Sequence, residues 1–113
     1  MKKQLIVLIL RLLESESDSN HPMTQTEIAA VISKLYPCDR KTVCRNIKFL
    51  KEMGYPIVKT TRGFYMDKKT FSLDEIDFVK QAITLSDGKS DEEKATLLEK
   101  VVAFLSSRYT QYH

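Results

Sequence analysis

The segment Asp39-Arg-Lys-Thr-Val-Cys-Arg-Asn-Ile-Lys-Phe-Leu-Lys-Glu-Met53 decides the fold. Val43, Ile47 and Leu50 recur at i, i+4 and i+7, which sets three apolar side chains on one face of a helix of 3.6 residues per turn. The borders are marked as well. Pro37 disfavours the helical region for Tyr36, Asp39 can cap the first free amides, and Cys38 and Val43 stand at staple positions. Gly54 supplies the stop. Arg40, Lys41, Arg45, Lys48 and Lys51 turn away from the apolar face, opposed in charge by Glu52 alone. Such a face is also what an ordinary solvated helix shows, so its neighbours decide its meaning.

Upstream, Thr24-Gln-Thr-Glu27 is a capping box with Met23 and Ile28 as its staple. It opens a helix whose apolar stripe is Ile28, Val31, Ile32 and Leu35. Tyr36, Pro37 and Cys38 then leave room for a tight turn, and helix, short turn, basic helix is the helix-turn-helix pattern. Downstream, Pro56-Ile-Val-Lys59 and Phe64-Tyr-Met66 flank Thr60-Thr-Arg-Gly63, which reads as a β-hairpin with Arg62 at its tip. A hairpin in that place is a wing. The expected fold is mainly α (α+β), a winged helix-turn-helix with a two-stranded wing and a C-terminal helical hairpin.

Farther out, residues 5–13 are apolar almost all round, broken only by Arg11, so their helix needs cover on more than one side. Residues 14–21 are polar and read as a loop. A Ser72/Glu75 box with a Phe71/Ile76 staple begins a helix to about Leu85, carrying Ile76, Val79 and Ile83. A Ser90/Glu93 box begins the last, to about Ser107, with Leu98, Val101, Val102 and Leu105 on one side and Leu97 and Phe104 widening it. These two form an antiparallel hairpin suited to the spare face of the first helix or to a second copy. Residues 109–113 read as a frayed end. The expected division is a DNA-binding domain at 1–67 and a linker or dimerisation hairpin at 68–113.

With 113 residues, 42% hydrophobic and 29% charged, the chain can build one core and an appended subdomain. Its net charge of +3 is unevenly placed. Residues 1–66 hold eleven Lys/Arg against six Asp/Glu, whereas residues 67–113 hold seven against nine. Within residues 40–62 alone, seven basic residues face one acidic residue, the footprint of a polyanionic partner. Cys38 and Cys44 are poorly placed for a bridge and read as reduced thiols of a cytoplasmic protein. The apolar run at 5–10 has no cleavage site after it, and no stretch approaches the roughly 20 apolar residues of a membrane span.

No catalytic or metal constellation is apparent, so neither enzymatic activity nor a cofactor is expected. His21 lies in a polar loop and His113 ends the chain, both positions of ordinary solvated histidines. Asp74, Glu75 and Asp77, like Asp91, Glu92 and Glu93, fall in first helical turns, where acids offset the helix dipole. For DNA the residues fit a definite use. Arg or Lys can bond guanine O6 and N7 in the major groove, and Asn can bond adenine in bidentate fashion. The N-terminal part of the second helix reaches base edges, which nominates Arg40, Lys41, Thr42, Arg45 and Asn46 from a recognition helix at residues 40–53. Lys48 and Lys51 lie nearer phosphates. The free amides of Gln25 and Thr26, with the Thr24 hydroxyl, can grip a backbone phosphate, although capping alone explains Thr24. Arg62 suits an adjacent groove or phosphate, and equally a solvated turn. Cys44 and Phe49 read as packing residues.

Residues 39–47, the following Leu50-Lys-Glu-Met-Gly-Tyr-Pro-Ile57 and Arg62-Gly-Phe-Tyr65 together resemble the N-terminal winged helix of bacterial WYL-domain transcriptional regulators. The resemblance also takes in His21-Pro-Met-Thr24 with Glu27-Ile28, and Phe71-Ser-Leu-Asp-Glu-Ile76 looks like the linker helix of those proteins. It implies a homodimeric regulator of double-stranded DNA. Members often carry Asp where Asn46 stands, and the change removes a negative charge from the DNA-facing helix. Nothing resembles the ligand-sensing WYL domain or the dimerising tail, so the chain is either part of a longer regulator lacking its C-terminal sensing domain here or a stand-alone one. The rival reading is a winged-helix interaction module whose basic face binds an acidic protein partner.

Overall fold

A computed structural model describes residues 2–110. The described elements are α1 (Lys2–Glu16), α2 (Gln25–Ile32), α3 (Arg40–Glu52), β1 (Ile57–Thr60), β2 (Gly63–Met66), α4 (Leu73–Leu85) and α5 (Asp91–Ser106). The fold is thus mainly helical with one two-stranded antiparallel sheet. The chain divides into two compact units, Met1–Asp67 and Lys68–His113.

In the first unit each element contributes one apolar stripe to a common core. Leu5, Ile9 and Leu13 of α1 are buried at four-residue spacing, and Ile28, Ala29 and Ile32 of α2 and Val43, Ile47 and Leu50 of α3 are buried on one face of each helix. Ile57, Phe64 and Met66 of the hairpin close it. Removing such aliphatic side chains from water contributes about 1.5–3 kcal/mol each, which is why these stripes fix the arrangement. The helix α1 packs on α2, α3 and β2, while α3 also packs on α2 and β1. On the side away from Ile9, Val7 is exposed, so within this unit α1 is covered on its core face alone.

The hairpin pairs Ile57 with Met66 and Thr60 with Gly63, leaving Thr61 and Arg62 as a two-residue loop. A third segment joins it where the sequence shows no strand. The Met23 amide donates to Phe64 O at 2.8 Å, and the Phe64 amide donates back to Met23 O at 2.7 Å. This close approach explains Gly63, whose φ is +131° and where a Cβ would run into the Met23 carbonyl. The residue just before the Thr24 cap is thereby fastened to β2.

Three expectations about boundaries are corrected. The helix α1 continues through Glu16, so the polar loop begins at Ser17 rather than at residue 14. That loop is not simply solvated either. Ser17 is fully buried; its hydroxyl donates to Leu13 O at 2.6 Å and accepts from the Met66 amide at 3.0 Å. Asp18 is buried too, accepting from the Asn20 amide at 2.9 Å and lying 2.7 Å from His21 Nδ1. Finally, α2 ends at Ile32, three residues before Leu35, which is 66% exposed. The Ser33 hydroxyl bonds Ala29 O at 2.6 Å and Cys38 O at 2.8 Å, and the following amides turn back on Val31 and Ile32. A hydroxyl with one hydrogen shared between the two carbonyls competes with the helix for its last acceptor. The turn to α3 therefore takes seven residues, 33–39, instead of three.

In the second unit α4 and α5 both begin at complete capping boxes, Ser72 with Glu75 and Ser90 with Glu93. They run antiparallel. Lys94 Nζ near the start of α5 donates to Thr84 O near the end of α4 at 2.9 Å, while the Thr70 amide before α4 donates to Arg108 O after α5 at 2.9 Å. Tyr109 bridges Lys69 and the Thr110 amide donates to Lys68 O at 2.8 Å, so the frayed end expected from residue 109 is held at least through Thr110. Residues 111–113 of that expectation, His113 included, lie outside the described residues. Ile76 is the one fully buried apolar side chain among the described residues of this unit; Leu97, Leu98, Val101, Val102 and Leu105 are half-buried.

Candidate nucleic-acid interface

The outer face of α3 is set by what its inner face does. Val43, Ile47 and Leu50 retain 0%, 2% and 1% of their accessible surface, so the rotation of the helix about its axis is fixed by the core. Arg40, Lys41, Arg45, Lys48 and Lys51 consequently stand exposed. None of the five makes an ion pair with a described carboxylate. Their charges stand on one exposed face.

The acid that caps α3 is occupied. Asp39 Oδ1 accepts from the Thr42 amide at 2.8 Å as the N-cap of α3. That hydrogen bond foremost, with the charges of Arg45 and Lys41 behind it, holds the Asp39 carboxyl below the ordinary carboxylate range. Burial, then the Asp39 charge, pushes the neighbouring Cys38 thiol up, away from the reactive thiolate form. Both cysteines are free.

The nominated readers fall into two groups. Arg40, Lys41 and Arg45 are exposed, and Arg45 Nη2 lies 3.4 Å from Thr42 Oγ1. Thr42 and Asn46 are half-buried, and Asn46 Nδ2 donates to Thr42 O one turn back at 2.8 Å, which spends one of its two amide hydrogens and leaves the other, with Oδ1, for an adenine N7 and N6. Thr24 acts as a cap: its hydroxyl accepts from the Glu27 amide at 3.1 Å and its own amide donates to Glu27 Oε1 at 2.8 Å. The amides of Gln25 and Thr26 lie in the first turn, where no intrahelical acceptor exists, but the Glu27 carboxylate shares that end. Gln25 Oε1 accepts from the Cys44 thiol, joining the first turn of α2 to the second turn of α3. Arg62 is exposed at the hairpin tip, its amide donating to Thr60 Oγ1 at 3.1 Å.

Sequence reasoning missed three features of this surface. Phe49, expected to pack, is 56% exposed, and Met53 one turn on is more so. Both lie off the i, i+4, i+7 stripe, a signal the spacing did contain. Lys59 adds a basic group on β1, with its ammonium 5.9 Å from the Phe64 ring centre. The Cys44–Gln25 bond links residues nineteen apart and had no local signature.

Among the described residues no group of His, Cys, Asp and Glu is disposed to hold a metal ion. No described helix is long and apolar enough to cross a membrane. Compared with protein-family models, curated proteins and solved structures, the chain matches none.

Proposed function

We propose that this chain is a sequence-specific, double-stranded DNA-binding transcriptional regulator built as a winged helix-turn-helix. In this reading α3 enters the major groove, β1 and β2 form the wing, and no cofactor or catalysis is involved. The observation that carries it is the division of α3, whose inner stripe is closed into the core while five exposed basic side chains lack a described counter-ion. Fixed, unpaired cations on a helix of groove-filling width favour a polyanion presenting regularly spaced phosphates. Arg40, Lys41 and Arg45, with Thr42 and Asn46 beside them, face base edges. Lys48 and Lys51 serve phosphates, the Thr24–Gln25 turn grips the backbone, and Arg62 reaches an adjacent groove or phosphate. The chain works as a homodimer in the cytoplasm, since paired modules read paired half-sites.

Titration of duplex DNA across a range of salt concentrations tests this. Log affinity should fall linearly with log salt, each neutralised phosphate contributing about −0.9 to the slope. Arg45→Glu should abolish binding. Binding indifferent to both salt and Arg45→Glu overturns the reading, and affinity for an acidic protein without affinity for DNA replaces it with the interaction-module alternative.

A further inference from the structure

Two large apolar side chains stand on the outer side of α3, and the DNA reading gives neither of them a task. Phe49 is 56% exposed, and Met53, four residues on, is 67% exposed. The buried stripe of Val43, Ile47 and Leu50 decides which way they point. With about 100° between successive helical residues, the direction opposite that stripe falls between Glu52 and Arg45, and Lys48 and Phe49 stand roughly 50° to either side of it. Phe49 therefore points outward as directly as Lys48 does, one turn beyond Arg45. A lone apolar side chain on a surface is ordinary. This one shares its arc with Lys41, Arg45 and Lys48, all exposed, so whatever meets those cations meets the ring as well.

We infer that Phe49 reads thymine, its ring packing against the C5 methyl of a T·A pair in the major groove. The inference rests on the proposed docking of α3 in duplex DNA and deepens it by naming a base. The pair edges in that groove present hydrogen-bonding groups and one apolar group, the thymine methyl, which a Phe side chain can meet. Against any other base the ring covers a polar atom without bonding it. The N4 amine of cytosine, the N6 amine of adenine and the O6 of guanine would each lose water and gain nothing. Burial of the methyl and the cost of stripping a polar edge thus act in the same direction. From Arg45 to Phe49 the helix rises about 6 Å, less than two base-pair steps of about 3.4 Å, so the thymine lies close to the pair that Arg45 addresses.

This contact differs in kind from those of the neighbouring cations. Lys48 and Lys51 act on phosphates and are weakened by salt, whereas a ring on a methyl releases no counter-ions. Removing the ring should therefore lower affinity and leave the salt slope alone.

The probe is a duplex that the full chain selects from a random-sequence pool, remade with each thymine in turn replaced by deoxyuridine, which takes away the methyl and keeps the pairing. At one thymine per bound chain this replacement should weaken binding about fourfold, the value of one buried methyl, and cytosine there should weaken it further. Phe49→Ala should bind the thymine duplex at least about fourfold less tightly, no longer distinguish it from the deoxyuridine duplex, and keep the slope of log affinity against log salt. Phe49→Leu, which retains an apolar contact, should keep part of the discrimination. Circular dichroism checks that both variants hold their helices. A selected site that fixes no thymine, deoxyuridine replacements without effect at every position, or a methyl effect undiminished in Phe49→Ala overturns the inference while salt-dependent binding keeps the DNA reading standing. Binding to no duplex at all overturns both.

Discussion

The helices α3 and α5 are built by the same local rules and end in opposite conditions. Each opens at a side-chain cap, Asp39 or Ser90, and each carries an apolar stripe at helical spacing. In α3 the stripe is fully covered and the opposite face is basic and unpaired. In α5 the corresponding residues remain half-buried, and the only fully buried residue of the helix is Ser106. A helix whose inner face is closed holds its outer side chains at a fixed angle, which a groove reader needs. A helix whose apolar side is only partly covered still has surface to bury.

The largest effect that bears on this contrast is a truncation made in both helices. Ile47→Ala should cost about 2–5 kcal/mol in urea unfolding of the full chain, because it opens a cavity in a closed core. Leu98→Ala, at a half-buried site, should cost about 1 kcal/mol. Equal losses would erase the distinction between the two faces.

A smaller effect probes what holds the hairpin beside α3. Gly63→Ala should destabilise by about 1–3 kcal/mol through its positive φ and its collision with Met23, and should speed hydrogen exchange at the Met23 and Phe64 amides. Unchanged exchange at those two amides would show that the bridge does not fasten the hairpin.

The smallest is a matter of pH. Asp39 is held low in the folded state, so its charged form contributes stability above the unfolded carboxylate pKa, and that contribution disappears as pH falls through the lowered folded value. Asp39→Asn keeps a capping side chain without the titration, so it should flatten the loss of stability over that acid window. Ser90, the equivalent cap of α5, carries no charge, which assigns this response to α3. An unaltered acid slope in Asp39→Asn would mean that the cap contributes nothing through its charge.

What was legible in the sequence was what nearby residues determine. The boxes at Thr24, Ser72 and Ser90, the Asp39 cap, the buried stripe of α3 and the hairpin around Thr61 and Arg62 all depend on neighbours within a few positions, and all are present. Contacts between distant residues were not legible. Ser17 looks like one more polar loop residue until Met66, forty-nine positions on, takes its hydroxyl. Met23 becomes part of the sheet only because Phe64 is brought beside it. The early end of α2 escaped notice for a different reason, since the Ser33 hydroxyl can bond backward or outward and composition does not say which. At the candidate site the same ambiguity applied to Asn46, whose amide bonds its own helix.

The central claim, that the face of α3 fixed by its buried stripe meets duplex DNA, is tested most directly by following backbone amide resonances of the full chain during a DNA titration. The account predicts that the largest shifts fall on residues 40–51, with smaller ones at residues 24–26 and 60–63, and that all of them are suppressed in Arg45→Glu. Saturable shifts confined to residues 68–110, or shifts over residues 40–51 that persist unchanged in Arg45→Glu, would contradict it.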